Sequence, residues 1–549
     1  MNAGDTSLLA AAKAWRAVDP DPVTVAELDD LVRRNDLTAL RDRFGAHLRF
    51  GTAGLRGRLG AGPNRMNRVV VRRAARGLVD TLAPGATVVI GYDARHNSAV
   101  FADDTARVVA STGRRALVLP GPLPTPVLAF AVRHLGADAG VMVTASHNPP
   151  QDNGYKVYLG DGAQIVPPHD TSIEHAIEAA GLPPLTLPPP APGGSVDHVD
   201  ARLVQAYLDA TLPGIAPRAD VAALRVVYTP LHGVGRDVAL RALARIGCTP
   251  HVVAAQAEPD PDFPTVAFPN PEEPGALDLA FALARDIDAD LVIANDPDAD
   301  RLCVGVRRGA GDYVALSGDD LGVLLGDHRL RTTRATDRLV VTTVVSSSML
   351  AKLAADAGVR FVETLTGFKW VVRPAIDDPH AHFILGYEEA LGYAVNDVVR
   401  DKDGISAAVV AVAMAADLRT EGSSLLDRLD ALAARHGRHH RRSTSVRFDG
   451  ADAGQVMAAR MAALRAGPPR ELGGFTVQEV IDFLPGIRGL APTDLLRFVL
   501  DGGARVQLRP SGTEPKLKVY VETVSPPGAA DDGGARALSL VDAGRLLVT

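Results

Sequence analysis

Three aspartates at alternate positions, Asp296, Asp298 and Asp300, follow the apolar run Leu291–Ala294, and Arg301 comes next. Hard carboxylate oxygens in such a set suit Mg2+, which keeps its other positions for water and a substrate phosphate. An extended backbone would turn all three toward one point. The same spacing occurs just before the run, at Asp286, Asp288 and Asp290. Sites in α/β sheets lie at the carboxyl ends of strands, so the second set is the expected metal site. The first set reads as a helix end and surface.

A second polar turn, Thr144-Ala145-Ser146-His147-Asn148-Pro149-Pro150, follows the apolar run Gly140–Val143. The prolines stop either strand or helix. Ser146 is therefore expected at a sharp turn with a histidine directly after it. Asn153-Gly154-Tyr155-Lys156 adds a lysine to this loop. Arg509-Pro510-Ser511-Gly512-Thr513-Glu514-Pro515-Lys516 lies between two strand-like runs. Its hydroxyls, its glycine and a cation at each end would make an anion nest. Glu388 and Glu389 follow another apolar strand; adjacent side chains point to different sides, so at most one aims into a cleft. Thr366-Gly367-Phe368-Lys369-Trp370 and Arg49–Gly57, which includes Arg56, are further Gly-bearing loops with a cation. Positive charge is carried almost entirely by arginine, with lysine only at Lys13, Lys156, Lys352, Lys369, Lys402, Lys516 and Lys518. Lys156, Lys369, Lys402 and Lys516 fall inside polar loops, where a compact ammonium does a job that a guanidinium does not.

The elements that must position these loops alternate between strand and helix. Strands are expected at Ala86–Gly91, Arg115–Leu119, Leu224–Thr229, His251–Ala254, Leu291–Ala294, Arg338–Val345, Arg360–Glu363 and His382–Leu385. Helices are expected at Ser98–Thr112, Pro126–Leu135, Val234–Ile246, Ala276–Ile287, Asp319–Gly326, Ser348–Ala357 and Ile405–Leu418. This predicts three similar mixed-sheet α/β domains. The last hundred or so residues differ, with strands at Thr444–Phe448, Leu495–Leu500, Val506–Leu508 and Leu517–Thr523 and a helix near Gln455–Leu464, an α+β pattern. The expected domains are 1–195, 196–312, 313–436 and 437–549. The tail Ser525–Gly534 reads as mobile.

Composition narrows the function. The chain has 549 residues, 46% apolar, enough for several cores. A net charge of -7 without a basic stripe argues against nucleic acid as a partner. Cys248 and Cys303 are isolated and make no disulfide framework or cysteine zinc site. The Leu8–Ala12 run is broken by Lys13 and Arg16, so it reads as an amphipathic helix and not a signal peptide. Ile405–Ala416 is too short to span a bilayer, which needs about 20 residues. A cytoplasmic protein with no membrane partner is expected.

The serine loop with Asn153–Lys156, the Asp296–Arg301 loop, Glu388-Glu389 and Arg509–Lys516 resemble, in order and spacing, the four signature loops of the α-D-phosphohexomutase family, the phosphoglucomutases and phosphomannomutases. The resemblance runs from about Phe50 to Thr523. It implies four domains around a central cleft, one loop from each. The implied reaction moves a phosphoryl group between C1 and C6 of mannose or glucose phosphates. It uses a phosphoserine, one Mg2+ and a bisphosphorylated sugar as intermediate and activator. Residue by residue, the resemblance makes Ser146 the nucleophile and, through a phosphoserine oxygen, a metal ligand with Asp296, Asp298 and Asp300. His147, Lys156, Arg301 and Arg56 would lie near the transferred group. Glu388 and Glu389 would meet sugar hydroxyls, with Thr366, Gly367, Lys369 and Lys402 in the substrate site. Arg509, Ser511, Gly512, Thr513 and Lys516 would grip the other phosphate. The implied partners are small sugar phosphates, and the implied assembly is a monomer or homodimer.

One departure bears on the sugar. Many family members carry a serine two residues after the sugar-binding glutamate, and this chain has Ala390. The Tyr387–Ala390 pattern and the Gly51–Gly57 loop are similar to the branch that includes phosphopentomutases and glucose-1,6-bisphosphate synthases. Conversion of ribose or deoxyribose 1-phosphate to the 5-phosphate is the alternative within the class. Outside it stand an aspartyl-nucleophile phosphatase working through Asp296 and a sugar-phosphate sensor that binds without turnover.

Overall fold

The structure is a computed structural model that describes residues 3–49, 54–309, 311–448, 452–487, 489–511, 515–529 and 532–549. The chain divides into two compact units, Met1–Ala315 with Gly392–Ala413 and Leu316–Leu391 with Met414–Thr549.

The first unit holds two sheets. In the first, the strands run in the order Leu55–Arg58, Asp152–Leu159, Ala139–Val143, Thr87–Tyr92, Arg115–Val118, Ser195–His198. The last four are mutually parallel, and Asp152–Leu159 runs antiparallel beside Ala139–Val143. Ala139–Val143 is buried at every residue, which is why it reads as an unbroken apolar run and not as an alternation. The sequence places Asn153–Lys156 in a loop; here they lie in a strand. Lys156 interrupts the apolar pattern, yet it is buried because it is paired. The helices Arg68–Asp80, Ser98–Ser111 and Thr125–His134 pack with this sheet. Three N-terminal helices, Ala3–Arg16, Pro22–Arg33 and Leu37–Phe44, extend the same core. Trp15 meets Phe44 edge-on at 6.1 Å.

The second sheet has the order Tyr313–Ala315, Cys303–Arg307, Leu291–Ala294, Val226–Thr229, His251–Val252. Its three central-to-edge strands from Leu291–Ala294 to His251–Val252 are parallel. Both candidate loops of this unit therefore leave the carboxyl ends of parallel strands. The sequence's longer strand at 251–254 is cut short, since Ala254–Gln256 forms a 3-10 turn.

In the second unit, Arg360–Thr364, Arg338–Thr343 and His382–Glu388 form a parallel set. A six-stranded antiparallel sheet follows, in the order Arg438–Arg447, Lys516–Ser525, Arg505–Pro510, Leu496–Leu500, Phe475–Asp482, Glu471–Leu472. The expected strand Thr444–Phe448 begins earlier, at Arg438. No apolar alternation announces it, because its inward side chains are His439 and Arg441. The tail read as mobile holds the end of a strand at Ser525 and, from Gly533, a helix to Val548. Among the described residues no helix is long and apolar enough to cross a membrane.

The two layers of this unit are joined by Val344, Val345, Ile481, Phe483, Leu495 and Tyr520, and by buried ions. Arg497 donates to both oxygens of Glu363, at 2.9 and 3.0 Å. Glu522 accepts from Ser347 Oγ at 2.9 Å and Ser348 N at 3.0 Å, and pairs with Arg505 at 2.7 Å and His439 at 3.0 Å. Burial alone would raise the Glu522 carboxyl, but Arg505, the His439 hydrogen bond and Arg441 outweigh it and hold it well below 4.5.

Glu522→Gln removes the charge and leaves the arginines buried without it. The expected cost is about 3 kcal/mol, read as a lower urea midpoint for this unit. A carboxyl depressed on folding stabilises above its unfolded-state value and loses that contribution as pH falls through the folded value. The gap between wild type and variant should therefore narrow as pH falls below 4.5, the ordinary value for glutamate.

Candidate active site

Ser146 sits where Ala139–Val143 ends, in the left-handed region at φ 53°. A non-glycine residue holds that conformation only when its surroundings impose it. Ser146 N donates to Thr144 Oγ1 at 2.8 Å, and Thr144 Oγ1 donates to Asp93 Oδ2 at 2.6 Å. Gly154, on the neighbouring strand, passes so close that a Cβ there would lie 2.5 Å from the Thr144 carbonyl oxygen. The hydroxyl of Ser146 donates to Asp296 Oδ2 at 2.7 Å and lies 3.2 Å from His147 Nδ1.

The aspartate loop leaves the end of Leu291–Ala294. Its carboxylates converge, with one oxygen from each within 4.8 Å of the others, and all three are buried. The means differs from the extended backbone expected. The segment turns, with Ala299 N bonded to Asp296 O at 2.8 Å and Ala299 at φ 53°. The turn is seated against Gly233, where a Cβ would come within 2.3 Å of Pro297 Cα. Asp286, Asp288 and Asp290 stay at the other end of the strand. Asp288 is exposed and paired with Arg225 and Arg307.

The outer oxygens of the triad are taken. Asp298 Oδ2 accepts from Lys156 Nζ at 2.8 Å and Thr125 Oγ1 at 2.6 Å. Asp300 Oδ2 accepts from Lys156 at 2.8 Å and faces Lys402 Nζ at 3.3 Å. The other oxygens, Asp298 Oδ1 and Asp300 Oδ1, are buried with no hydrogen-bond partner among the described residues. Two bare carboxylate oxygens beside Asp296 and a serine hydroxyl fit a hard divalent cation.

Charge follows this geometry. Burial raises the Asp296 carboxyl, and Asp298 and Asp300 push it further, well above 3.8. Burial would lower Lys156, but Asp298 and Asp300 outweigh it and the ammonium is held more firmly than usual. Burial, then Arg301 and Arg56, hold His147 well below 6.5, so its ring is neutral at pH 7. Arg56 donates to Asn148 Oδ1 at 2.9 Å, on the serine turn. Arg301 N donates to Asp296 Oδ1 at 3.0 Å, and its guanidinium lies 3.5 Å from Glu272.

Ser146, His147, Lys156, Arg301, Arg56, Lys402 and the triad thus meet in the first unit. Sequence reasoning missed Thr125, Asp93, Arg95 and Asp401. Asp401 accepts from Tyr158 OH and Gln164 Nε2, each at 2.7 Å, and so seats the Lys402 segment. The available signal was position: Asp93 and Arg95 lie just past a strand's carboxyl end.

The remaining candidates lie in the second unit. Arg509 donates to Thr366 Oγ1, which joins two of the loops. Arg509 Nε is buried without a hydrogen-bond partner among the described residues. Ser511 N donates to Lys516 O at 2.9 Å and closes the turn, while Gly512 and Thr513 lie outside the described residues. Gly367 takes φ 105°, and the buried Lys369 has its Nζ 5.8 Å from the Trp370 ring centroid. Glu389 accepts from Thr343 Oγ1 and Ser346 Oγ, each at 3.2 Å. Glu388 is the last residue of the same strand.

A serine hydroxyl set against a carboxylate triad, ringed by buried cations at strand ends, is an arrangement suited to phosphoryl transfer. Models of the four phosphoglucomutase/phosphomannomutase domains match in order: α/β/α domain I at 47–183, domain II at 205–309, domain III at 317–435 and the C-terminal domain at 446–532. A Haemophilus influenzae protein named "Probable phosphomannomutase" is 43% identical over 467 residues, 83% of this chain and 93% of its own. The mouse phosphopentomutase is 34% identical, over 94% of this chain and 90% of its own. The fold matches a phosphoglucomutase/phosphomannomutase family protein from Burkholderia thailandensis, with a TM-score of 0.69 and 21% identity over 91% of this chain and 96% of that one. The chain belongs to the phosphoglucomutase/phosphomannomutase family, and it is a phosphosugar mutase, an isomerase.

Titration calorimetry with Mg2+ tests the triad without reference to turnover. Asp298→Asn should weaken binding at least about tenfold, since a charged ligand is lost. Asp288→Asn, in the exposed set, should leave affinity within about twofold. Equal effects would place the metal elsewhere.

Proposed function

We propose that this mutase reversibly moves a phosphoryl group between C1 and C6 of glucose and mannose phosphates, by way of phosphorylated Ser146 and a bisphosphorylated sugar. The observation that carries the reading is the Ser146 hydroxyl, 2.7 Å from Asp296 beside two carboxylates with bare oxygens. Asp296, Asp298, Asp300 and Ser146 would hold Mg2+, which when bound supplies positive charge to the phosphoryl group. Lys156, Arg56 and Arg301 add further positive charge. Phosphoryl transfer asks for such placement and neutralisation more than for covalent help. The proton of the attacking sugar hydroxyl goes to His147, the neutral base beside Ser146. Glu388 accepts from sugar hydroxyls, and Arg509, Ser511, Gly512, Thr513 and Lys516 hold the phosphate that does not react, with Thr366, Gly367 and Lys369 beside them. A sugar bisphosphate primes Ser146.

Pentose phosphates form a second substrate group, for a specific reason. Ala390 stands where the family resemblance implies a serine, so the sugar site would have one hydrogen bond fewer with which to tell sugars apart. The names of the relatives point both ways, to a phosphomannomutase and a phosphopentomutase. With both phosphate grips kept, affinity rests mainly on charge.

Ser146→Ala should lower turnover of glucose 1-phosphate by several orders of magnitude while the protein still folds cooperatively, its melting temperature lowered only by the worth of one buried hydrogen bond. A sensor or an aspartyl phosphatase would not respond in that way. Comparing kcat/KM for the 1-phosphates of glucose, mannose, ribose and deoxyribose, activity should appear in both size classes. Ala390→Ser should shift preference toward hexoses by no more than about tenfold, the worth of one hydrogen bond. Pentose phosphates inert at millimolar concentration would contradict the breadth proposed.

A further inference from the structure

Arg95 takes no part in the reaction as described, yet its side chain is 1% exposed and directed at the serine turn. Its Nη2 donates to the carbonyl oxygens of Ser146 and Asn148, the latter at 2.6 Å. Its Nη1 donates to those of Pro149 at 2.9 Å and Asp152 at 3.3 Å. One guanidinium therefore ties the start of the turn to its end, where the return strand begins. On its other side Arg95 Nε lies 3.3 Å from Asp93 Oδ2, and the guanidinium lies 4.9 Å from the centroid of the buried Phe263 ring.

Asp93 completes the arrangement. Its Oδ2 accepts from Thr144 Oγ1, which in turn accepts from Ser146 N. Both polar groups of Ser146's own backbone are then fixed, the N–H through Asp93 and the C=O through Arg95. That is what a serine at φ 53° requires. A buried guanidinium spent almost wholly on carbonyl groups is a costly way to brace an ordinary turn, where a neutral donor would serve.

We infer that Arg95 is a positioning residue that sets the Ser146 hydroxyl toward Asp296 for phosphoryl transfer, acting through the backbone of the serine turn. The inference rests on the mutase reading. A planar fork with five donors can reach four carbonyl groups at once, and a lysine ammonium at the same place cannot. Sugar-phosphate binding does not pass through Arg95, so the loss should fall on the chemical step.

The test compares two buried arginines of the same sheet's surroundings in the full-length enzyme with Mg2+. Arg72 on Arg68–Asp80 is 3% exposed and bonded to Asp104 and the Leu185 carbonyl, away from the serine turn. Arg95→Lys and Arg95→Met should lower kcat for glucose 1-phosphate by about 100-fold, the scale of a displacement of about 1 Å at a reacting group. KM should stay within about threefold, and Ser146 phosphorylation by glucose 1,6-bisphosphate should slow in the same proportion as kcat. Arg72→Lys should lower the melting temperature by a similar amount while kcat stays within about twofold. The inference is overturned if Arg95→Lys loses no more kcat than Arg72→Lys, or if its loss lies in KM. It is also overturned if neither Arg95 variant folds while Arg72→Lys does, which would assign Arg95 to the fold. An inactive wild type would remove the mutase reading and this inference with it.

Discussion

Three carboxylates within 4.8 Å of one another, all out of water, are the constraint on which the first unit is built. Two full charges at that separation repel by about 3 kcal/mol even at an effective dielectric constant of about 20. Burial adds a desolvation cost for each. The fold answers with cations from distant parts of the chain. Lys156 arrives on the strand beside the serine turn and bridges Asp298 and Asp300. Lys402 arrives from the Gly392–Ala413 segment and faces Asp300. Both leave the Oδ1 atoms of Asp298 and Asp300 bare. A divalent ion at the bare oxygens would add positive charge to that of the two lysines, with charge to offer a phosphoryl group.

Much of the surrounding architecture follows from that need. Asp152–Leu159 runs antiparallel to Ala139–Val143 and carries Lys156 to the triad, and Gly154 lets it pass beside the serine turn. Asp401 and Asp403 are tied to Tyr158 and Tyr207, which anchors the segment that carries Lys402. In the second unit the same chemistry serves a structural end. Arg497 matches Glu363 across its two layers, and Arg505 matches Glu522 on the neighbouring strand of one sheet. No cluster of bare carboxylate oxygens like that of the triad occurs there among the described residues.

How far the sequence spoke depended on whether the cause was local. Leu291–Ala294 has the same bounds in the sequence reading and in the structure, because four apolar residues between polar turns are a local signal. The choice between the two aspartate sets also rested on something local, the direction of one strand. Thr125 was invisible, since its partner Asp298 lies 173 residues away. Beyond its place past a strand end, nothing local marks Arg95, because its carbonyl partners begin 51 residues further along the chain. Only the second half of the strand Arg438–Arg447 was legible, from Thr444, where Val446 packs on the core; in the first half the buried side chains are His439 and Arg441, held by ions that lie far along the chain. The lysine-poor composition was an indirect signal of the same long-range pairing. Two of the lysines it singled out, Lys156 and Lys402, meet at Asp300.

The central claim is that Ser146 carries the phosphoryl group in turnover, and phosphopeptide mapping tests it most directly. The enzyme is exposed to glucose 1,6-bisphosphate labelled in both phosphates, treated with mild acid, digested and read by mass spectrometry. The account predicts acid-stable label on the peptide containing Ser146. Label that is lost in acid and maps to the Asp296–Asp300 peptide would contradict it, as would a stable phosphate on any other residue.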